Sequence, residues 1–352
     1  MEVIETEKRD LLDMSFKELN EAITKLGYPA YRAKQIYEWL YSGVLDFSQM
    51  NNLPKDMRAK LEESFTTGRV KIAQRLVSKV DQTRKYLLEL GDRNIVESVL
   101  MKYHYGYSVC LSTQVGCRMG CKFCASASLG LIRNLTIAEL LAQLLTIRHD
   151  LGQRISHVVL MGIGEPFDNY DNVIEFLKRI NREDTLNISY RKMTVSTCGI
   201  VPKILEFARE GIPVNLSISL HAPNDEVRRR TMPVAKSWNF DELLSACKEY
   251  TRLTSRRITY EYSLIENVND SQEHAEILAK KLKGTLCHVN LIPVNAVKGI
   301  DFKKSSRQRI ETFKEVLDKY GIAVTVRREL GSDIMAACGQ LRRNNLTKTR
   351  KV

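Results

Sequence analysis

The sequence predicts an α/β fold: a parallel sheet with helices outside it, six or so strand–helix units closing as a full or partial barrel, preceded by a small helical region and a β-rich extension. Two observations predict it. From about residue 106 onward, short apolar runs alternate with longer segments of helical period, which is the pattern of a parallel sheet wrapped by helices. Before that point the pattern changes twice, from helical to strand-like.

Residues 9–65 read as helices. Ser15 with Glu18 three residues on is a capping box. After the Gly27–Tyr28–Pro29 turn, residues 30–41 form a basic, aromatic helix whose Ile36, Trp39 and Leu40 face a small core, with Arg32 and Lys34 as candidates for RNA contact. Residues 70–103 read as short strands, 84–90 and 95–100 flanking a turn at 91–94. The later strands fall at 107–113, 155–161, 192–197, 214–220, 258–264, 287–292 and 322–327. Helices fall between them at 136–150, 170–181, 201–210, 239–253, 271–283 and 305–320. In such a sheet the chemistry belongs at the C-terminal ends of the strands, and the polar motifs of the chain gather there: the cysteine loop, Gly162–Pro166, Ser196–Thr197, Ser219–His221 and Pro293–Asn295.

The chain has 352 residues, 43% of them hydrophobic and 27% charged, which is ordinary globular usage and excludes a mostly disordered chain. No apolar run approaches the roughly 18 residues a membrane helix needs, and the N-terminus lacks a secretory pattern, so a cytoplasmic protein is expected. Lys and Arg number 54 against 42 acids, a net charge of +12 that suggests a polyanionic partner, nucleic acid first. Arg228–Arg229–Arg230 and the tail residues Arg342, Arg343, Lys348, Arg350 and Lys351 are the candidate phosphate contacts.

Eight cysteines in a chain of this length do not suggest a disulfide scaffold. Cys117, Cys121 and Cys124 read C-x3-C-x2-C, whereas random placement predicts about 0.004 such triplets. Three thiolates can hold three irons of a [4Fe–4S] cluster and leave the fourth open. Structural zinc prefers four ligands in paired C-x2-C units, and no second pair exists here.

Cys117–Cys124, with Phe123 before the last cysteine, resembles the radical S-adenosylmethionine (SAM) signature, and Gly162–Ile163–Gly164–Glu165–Pro166 resembles that superfamily's glycine-rich stretch. Residues 109–117, Ser219–Asp225, Val289–Pro293 and Ala336–Leu341 resemble the RlmN/Cfr family of radical SAM RNA adenine methyltransferases, the RlmN type more than the Cfr type. The match covers nearly the whole chain.

The resemblance implies a partial (β/α)6 radical SAM barrel at 106–330, an RNA-binding helical domain at 1–65, a β extension at 66–105 and a C-terminal segment at 331–352. It implies one [4Fe–4S] cluster on Cys117, Cys121 and Cys124, two SAM molecules per turnover, and a SAM pocket at Phe123, Gly164, Glu165, Ser196, Ser219, Leu220, His221 and Asn295. It further implies that Cys338 carries the methyl group, that Cys110 resolves the RNA adduct through a transient disulfide with Cys338, and that Glu97 accepts the proton from the adenine carbon. The implied substrates are the peptidyl-transferase adenosine of 23S rRNA and the anticodon-adjacent adenosine of some tRNAs. A flavodoxin or ferredoxin would supply electrons to a monomeric enzyme. A C8-methylating enzyme of the Cfr type, and a noncatalytic metal-containing RNA-binding protein, remain the alternatives. Cys198, Cys247 and Cys287 are expected to be structural.

Overall fold

The structure is a computed structural model that describes residues 8–127, 130–295, 297 and 299–341. The tail residues Arg342, Arg343, Lys348, Arg350 and Lys351 lie outside the described residues. Three helices open the chain: α1 (Phe16–Lys25), α2 (Tyr31–Ser42) and α3 (Lys55–Ser64), framed by two short parallel strands, β1 (Arg9–Asp10) and β2 (Phe65–Thr66). The Ser15–Glu18 capping box forms at α1. On α2, Ile36 and Leu40 are buried, while the Trp39 indole is half-buried and donates to Asn52 Oδ1 at 2.6 Å. Arg32 is held by Gln35 and the Asn52 carbonyl; Lys34 is exposed.

These helices share one continuous core with the rest of the chain. Buried Arg179 donates to the Leu12, Asp13 and Met14 carbonyls, and Asp13 accepts from the Ala138 amide.

A ten-stranded sheet follows. Its antiparallel part is β3 (Lys71–Val77), β4 (Arg84–Glu89), β5 (Ile95–Tyr103) and β6 (Gly106–Cys110). A hairpin, β7 (Gln114–Gly116) with β8 (Leu131–Asn134), then encloses the cysteine loop. Beyond it run α4 (Ile137–Leu151), β9 (Ile155–Leu160), α5 (Tyr170–Asn181), β10 (Met193–Thr197), α6 (Val201–Arg209) and β11 (Asn215–Ser219). The chain continues through α7 (Asp225–Thr231), α8 (Phe240–Thr254), β12 (Ile258–Leu264), α9 (Gln272–Leu282), β13 (Cys287–Pro293), α10 (Arg307–Lys319) and β14 (Ala323–Val326). The order across the sheet is β14-β13-β12-β11-β10-β9-β6-β5-β4-β3, with β6 and everything from β9 onward parallel. Both edges are open, so the barrel is partial and the antiparallel extension is continuous with it.

The first parallel strand is shorter than the 107–113 expected. It ends at Cys110, although backbone bonds to β9 and the turn after it carry on past that point: the Leu111 amide donates to the Val159 carbonyl and the Gly162 amide to the Leu111 carbonyl. The short helix α7, capped by Asn224, was not legible in the sequence pattern.

Alternation along the strands decides what lines the barrel. Val158, Val195, Leu216 and Ile218 face the helices, as buried parallel strands require. Their neighbours Ser196, Ser219, Glu261 and Ser263 line the inner cavity.

Candidate active site

At the C-terminal ends of the strands lies an open cavity of about 980 Å³. Its wall carries Cys117, Cys121, Phe123 and Cys124 from the cysteine loop, Gly164 and Glu165 after β9, Ser196, Ser219 and His221, Asn295 after β13, and Cys338 from the C-terminal segment. Of the cluster, SAM and catalytic residues that the resemblance implies, Leu220, Cys110 and Glu97 do not line it. Among the described residues no three His, Cys, Asp or Glu side chains converge as they would around a single ion.

The glycine-rich stretch is shaped first by protein packing. A Cβ at Gly162 would lie 2.6 Å from the Leu111 carbonyl oxygen, and one at Gly164 would lie 2.7 Å from Gln114 Cβ; Gly164 also has φ +112°. Only glycine lets the end of β9 pass so close to residues 111–114. Glu165 is buried. Its Oε2 accepts from the Cys198 amide at 2.7 Å and its Oε1 from the Phe167 amide at 3.0 Å. Burial raises its pKa and these bonds oppose the rise. The carboxylate is thus fixed in orientation, with lone pairs left for a ligand in the cavity.

His221 is both wall and scaffold. Its Nδ1 accepts from the Ser263 amide at 2.8 Å, which leaves the proton on Nε2. Burial, with the charge of Arg228 behind it, lowers its pKa to about 3. The ring meets Phe123 edge-on at 4.9 Å and so props the aromatic of the cysteine loop. Leu220 departs from expectation. Its side chain is in the hydrophobic core, and only its backbone serves the site: the amide donates to the Glu261 carbonyl, and the carbonyl accepts from Arg228. Because β11 ends at Ser219, its successor points to the opposite side.

Cys338 is carried by the segment 331–341, which lies across the open side of the barrel. Asn295 Nδ2 donates to the Cys338 carbonyl at 3.0 Å, the Ala125 amide to the Gly339 carbonyl at 2.8 Å, and Ser126 Oγ to the Leu341 carbonyl at 2.7 Å. Cys110 is buried beneath it with Val99, Met101, Ala336 and Leu341. Burial, then the charge of the Cys338 thiolate, pushes the Cys110 thiol up to about 12, while Arg327 pulls the other way. Both thiols are free.

Glu97 is not the solvated strand carboxylate its sequence context allows. It is fully buried, two residues along β5 from Val99, which pairs with Cys110. Its Oε2 lies 2.9 Å from Lys85 Nζ, and the same ammonium donates to the Met335 carbonyl at 3.1 Å.

Several contributors escaped sequence reasoning. Lys85, Glu261 and Arg327 were not singled out, yet Lys85 is buried, and Glu261 and Arg327 line the cavity 3.8 Å apart. Cys198, expected to be structural, also lines the cavity and holds Glu165 through its amide; Cys247 and Cys287 are buried in the core. The expectation of an RNA-binding Arg228–Arg230 run needs correction. Successive residues on α7 point about 100° apart: Arg228 is fully buried, Arg229 pairs with Asp225 at 2.7 Å, and Arg230 is exposed. Regular alternation of polar residues would have signalled the inner wall; nothing in the triplet itself separates Arg228 from its neighbours.

Comparison with known proteins agrees with this geometry. The chain matches the radical SAM superfamily over residues 111–278 and the ribosomal RNA large subunit methyltransferase N-terminal domain over residues 9–66. It is 53% identical to a probable dual-specificity RNA methyltransferase RlmN of Clostridium novyi, covering 96% of this chain and 98% of the relative. It is 50% identical to the protein of the same description from Clostridium tetani, over 97% and 98%. The crystal structure of a radical SAM methyltransferase from Sphaerobacter thermophilus superposes with a TM-score of 0.91 at 42% identity, covering 95% of this chain and 99% of that one.

Proposed function

The chain belongs to the RlmN family of radical SAM RNA methyltransferases, and from that premise we propose that it methylates C2 of an adenosine in 23S rRNA, and of tRNA, through a methyl group carried on Cys338. The observation that supports this most is the meeting of Cys338 with Cys117, Cys121 and Cys124 in one cavity, with Cys110 buried directly behind.

The residues fit the cofactors that the family implies. Thiolates are the natural ligands of an iron–sulfur cluster. Each would bind a separate iron, so they need not converge on one point. The cavity brings these thiols together with the polar wall residues at the strand ends. Glu165 is placed to accept from an ammonium, and Ser196, Ser219 and Asn295 offer polar contacts beside it. When bound, cluster and SAM supply the methyl group and, after one-electron reduction by a flavodoxin- or ferredoxin-type carrier, the power to abstract hydrogen from an unactivated C–H bond.

The chain's own residues do the rest. Cys338, as thiolate, takes the first methyl group and holds it as a thioether. After loss of one hydrogen atom, its methylene joins C2 of the adenine and RNA becomes covalently linked to Cys338. Glu97 takes the C2 proton as the adduct gives up one electron, which the oxidised cluster would accept when bound. Cys110, as thiolate, then attacks the Cys338 sulfur. The S–S bond forms and the S–CH2 bond breaks. Its electron pair leaves with the methylene, which gains a proton and becomes the methyl group. Two thiols are oxidised as the transferred carbon is reduced.

Glu97 is sealed by Lys85 and by segment 331–341. Its role as a base therefore requires that segment to withdraw as RNA enters, a gating motion of the kind loops supply. That withdrawal takes the Met335 carbonyl from Lys85 and opens Glu97 to the cavity.

Cys338→Ala tests the reading. Methylation of 23S rRNA should vanish while RNA binding persists. Unchanged methylation by this variant would overturn the methyl-carrier role, and a wild-type protein that binds RNA but never methylates it would favour a noncatalytic role.

A further inference from the structure

Arg228 is fully buried on α7. Its guanidinium carries a permanent charge. Nη2 donates to the Cys198 carbonyl at 2.5 Å and Nε to the Leu220 carbonyl at 3.3 Å. Nη1, also buried, has no hydrogen-bond partner. Nor does a carboxylate pair with it among the described residues: Asp225, on the same helix, binds Arg229 and accepts from the Phe240 amide. A buried charge is costly unless an opposite charge offsets it.

Burial lowers the pKa of Arg228, and of the groups around it that oppose this, Cys198 and then Cys121 come ahead of Asp225 and Cys247. Cys121 packs on the small apolar cluster of Cys198, Met232 and Val234, and Cys121 and Cys198 both line the cavity. The cysteine loop is braced on the same helix, because the Lys122 amide donates to the Thr231 carbonyl at 2.9 Å. Gly199 leaves room for the guanidinium: a Cβ there would lie 3.2 Å from Arg228 Nη2 and 2.9 Å from Leu243.

We infer that Arg228 is a positioning residue for the reductive step: its buried guanidinium, held behind Cys121, offsets the negative charge of a three-thiolate iron–sulfur cluster and raises the fraction reduced at a given potential. Net charge and hydrogen bonding around the sulfurs set the potential of such clusters. Reduction adds an electron to a group that three thiolates already make anionic, so a fixed nearby cation favours the reduced form. The inference rests on the reading of Cys117, Cys121 and Cys124 as the cluster ligands.

The experiment is an anaerobic potentiometric titration, read by electron paramagnetic resonance, of reconstituted full-length protein. Arg228→Gln and Arg228→Met remove the charge; Arg228→Lys keeps it without the fork. At the potential where the wild type is half reduced, the two neutral variants should show a reduced-to-oxidised ratio at least tenfold lower, a shift of about 59 mV for one electron. The Lys variant should stay within threefold of wild type. Neutral variants within threefold of wild type, or a Lys variant that tracks them, would overturn the inference. If the neutral variants fold but take up no iron while the Lys variant does, the charge serves cluster loading rather than reduction, and the inference falls. If all three fail alike, the fork and not the charge is what matters, and the inference falls. A wild-type protein with no four-iron signal would instead overturn the cluster reading.

Discussion

The Lys85 ammonium lies 2.9 Å from the Glu97 carboxylate, with 5% and 0% of the two side chains exposed. Lys85 also donates to the Met335 carbonyl, so one cation ties the carboxylate to the segment that carries Cys338. Breaking such a pair leaves a buried charge alone. Lys85→Met should therefore destabilise the protein by about 3–5 kcal/mol, and adding Glu97→Gln should restore much of that. Urea unfolding of the single and double variants checks this. Equal losses in both would show that packing of the lysine stem, not the ion pair, is what counts.

Cys110→Ala should stop the reaction after RNA is joined to Cys338. Denaturing gels should then show a protein band shifted by covalently bound RNA, absent when Cys338→Ala is added. No shifted band from an enzyme with an intact cluster would argue against Cys110 as the resolving thiol.

The resting enzyme should show the same two thiols as chemically unlike. Cys338 is half-buried, whereas burial pushes Cys110 up to about 12. Only the thiolate reacts. Brief iodoacetamide treatment at pH 8, mapped by mass spectrometry, should label Cys338 and spare Cys110, and labelling of Cys110 should climb as pH rises. Equal labelling of both at pH 8 would contradict the burial.

His221 has its folded pKa lowered to about 3 by burial. A histidine shifted this way stabilises the fold fully above its unfolded value of about 6.5. That contribution is lost as pH falls from there toward the folded value, where the unfolded chain binds the proton more readily. Nitrogen NMR at pH 5 should still find His221 neutral with the proton on Nε2. A protonated ring at pH 5 would contradict the Ser263 amide bond to Nδ1.

Gly164→Ala should cost about 1–3 kcal/mol through overpacking, since its Cβ would meet Gln114 and φ is +112°. SAM affinity should fall with it, because the same turn sets Glu165. Calorimetric unfolding and SAM binding measure the two effects, and an unaffected variant would show that residues 111–114 can yield.

The backbone plan was largely legible because parallel strands and their helices carry strong, opposite periodicities. Each of the strands expected from 155 onward and the six helices between 136 and 320 has its counterpart in the structure, with ends within a few residues. Less legible was the fate of polar side chains. Arg228 and Arg230 are indistinguishable in sequence, yet one is buried and the other exposed, because only the docking of α7 decides it. Leu220 was grouped with the pocket residues on the family resemblance, but the change of side along a strand sends its side chain to the core. The pairing of Lys85 with Glu97 was not legible, because the register of β4 with β5 and the path of segment 331–341 bring the two under cover.

The most direct test of a methyl carried on Cys338 and delivered to C2 is nucleoside mass spectrometry. 23S rRNA lacking the modification would be incubated anaerobically with the reconstituted enzyme, a reductant and SAM bearing a trideuterated methyl group. The product should be 2-methyladenosine carrying two deuterium atoms, one having been abstracted from the thioether methyl and replaced from solvent. Three deuterium atoms would mean direct transfer without the Cys338 relay, and 8-methyladenosine would contradict the C2 assignment.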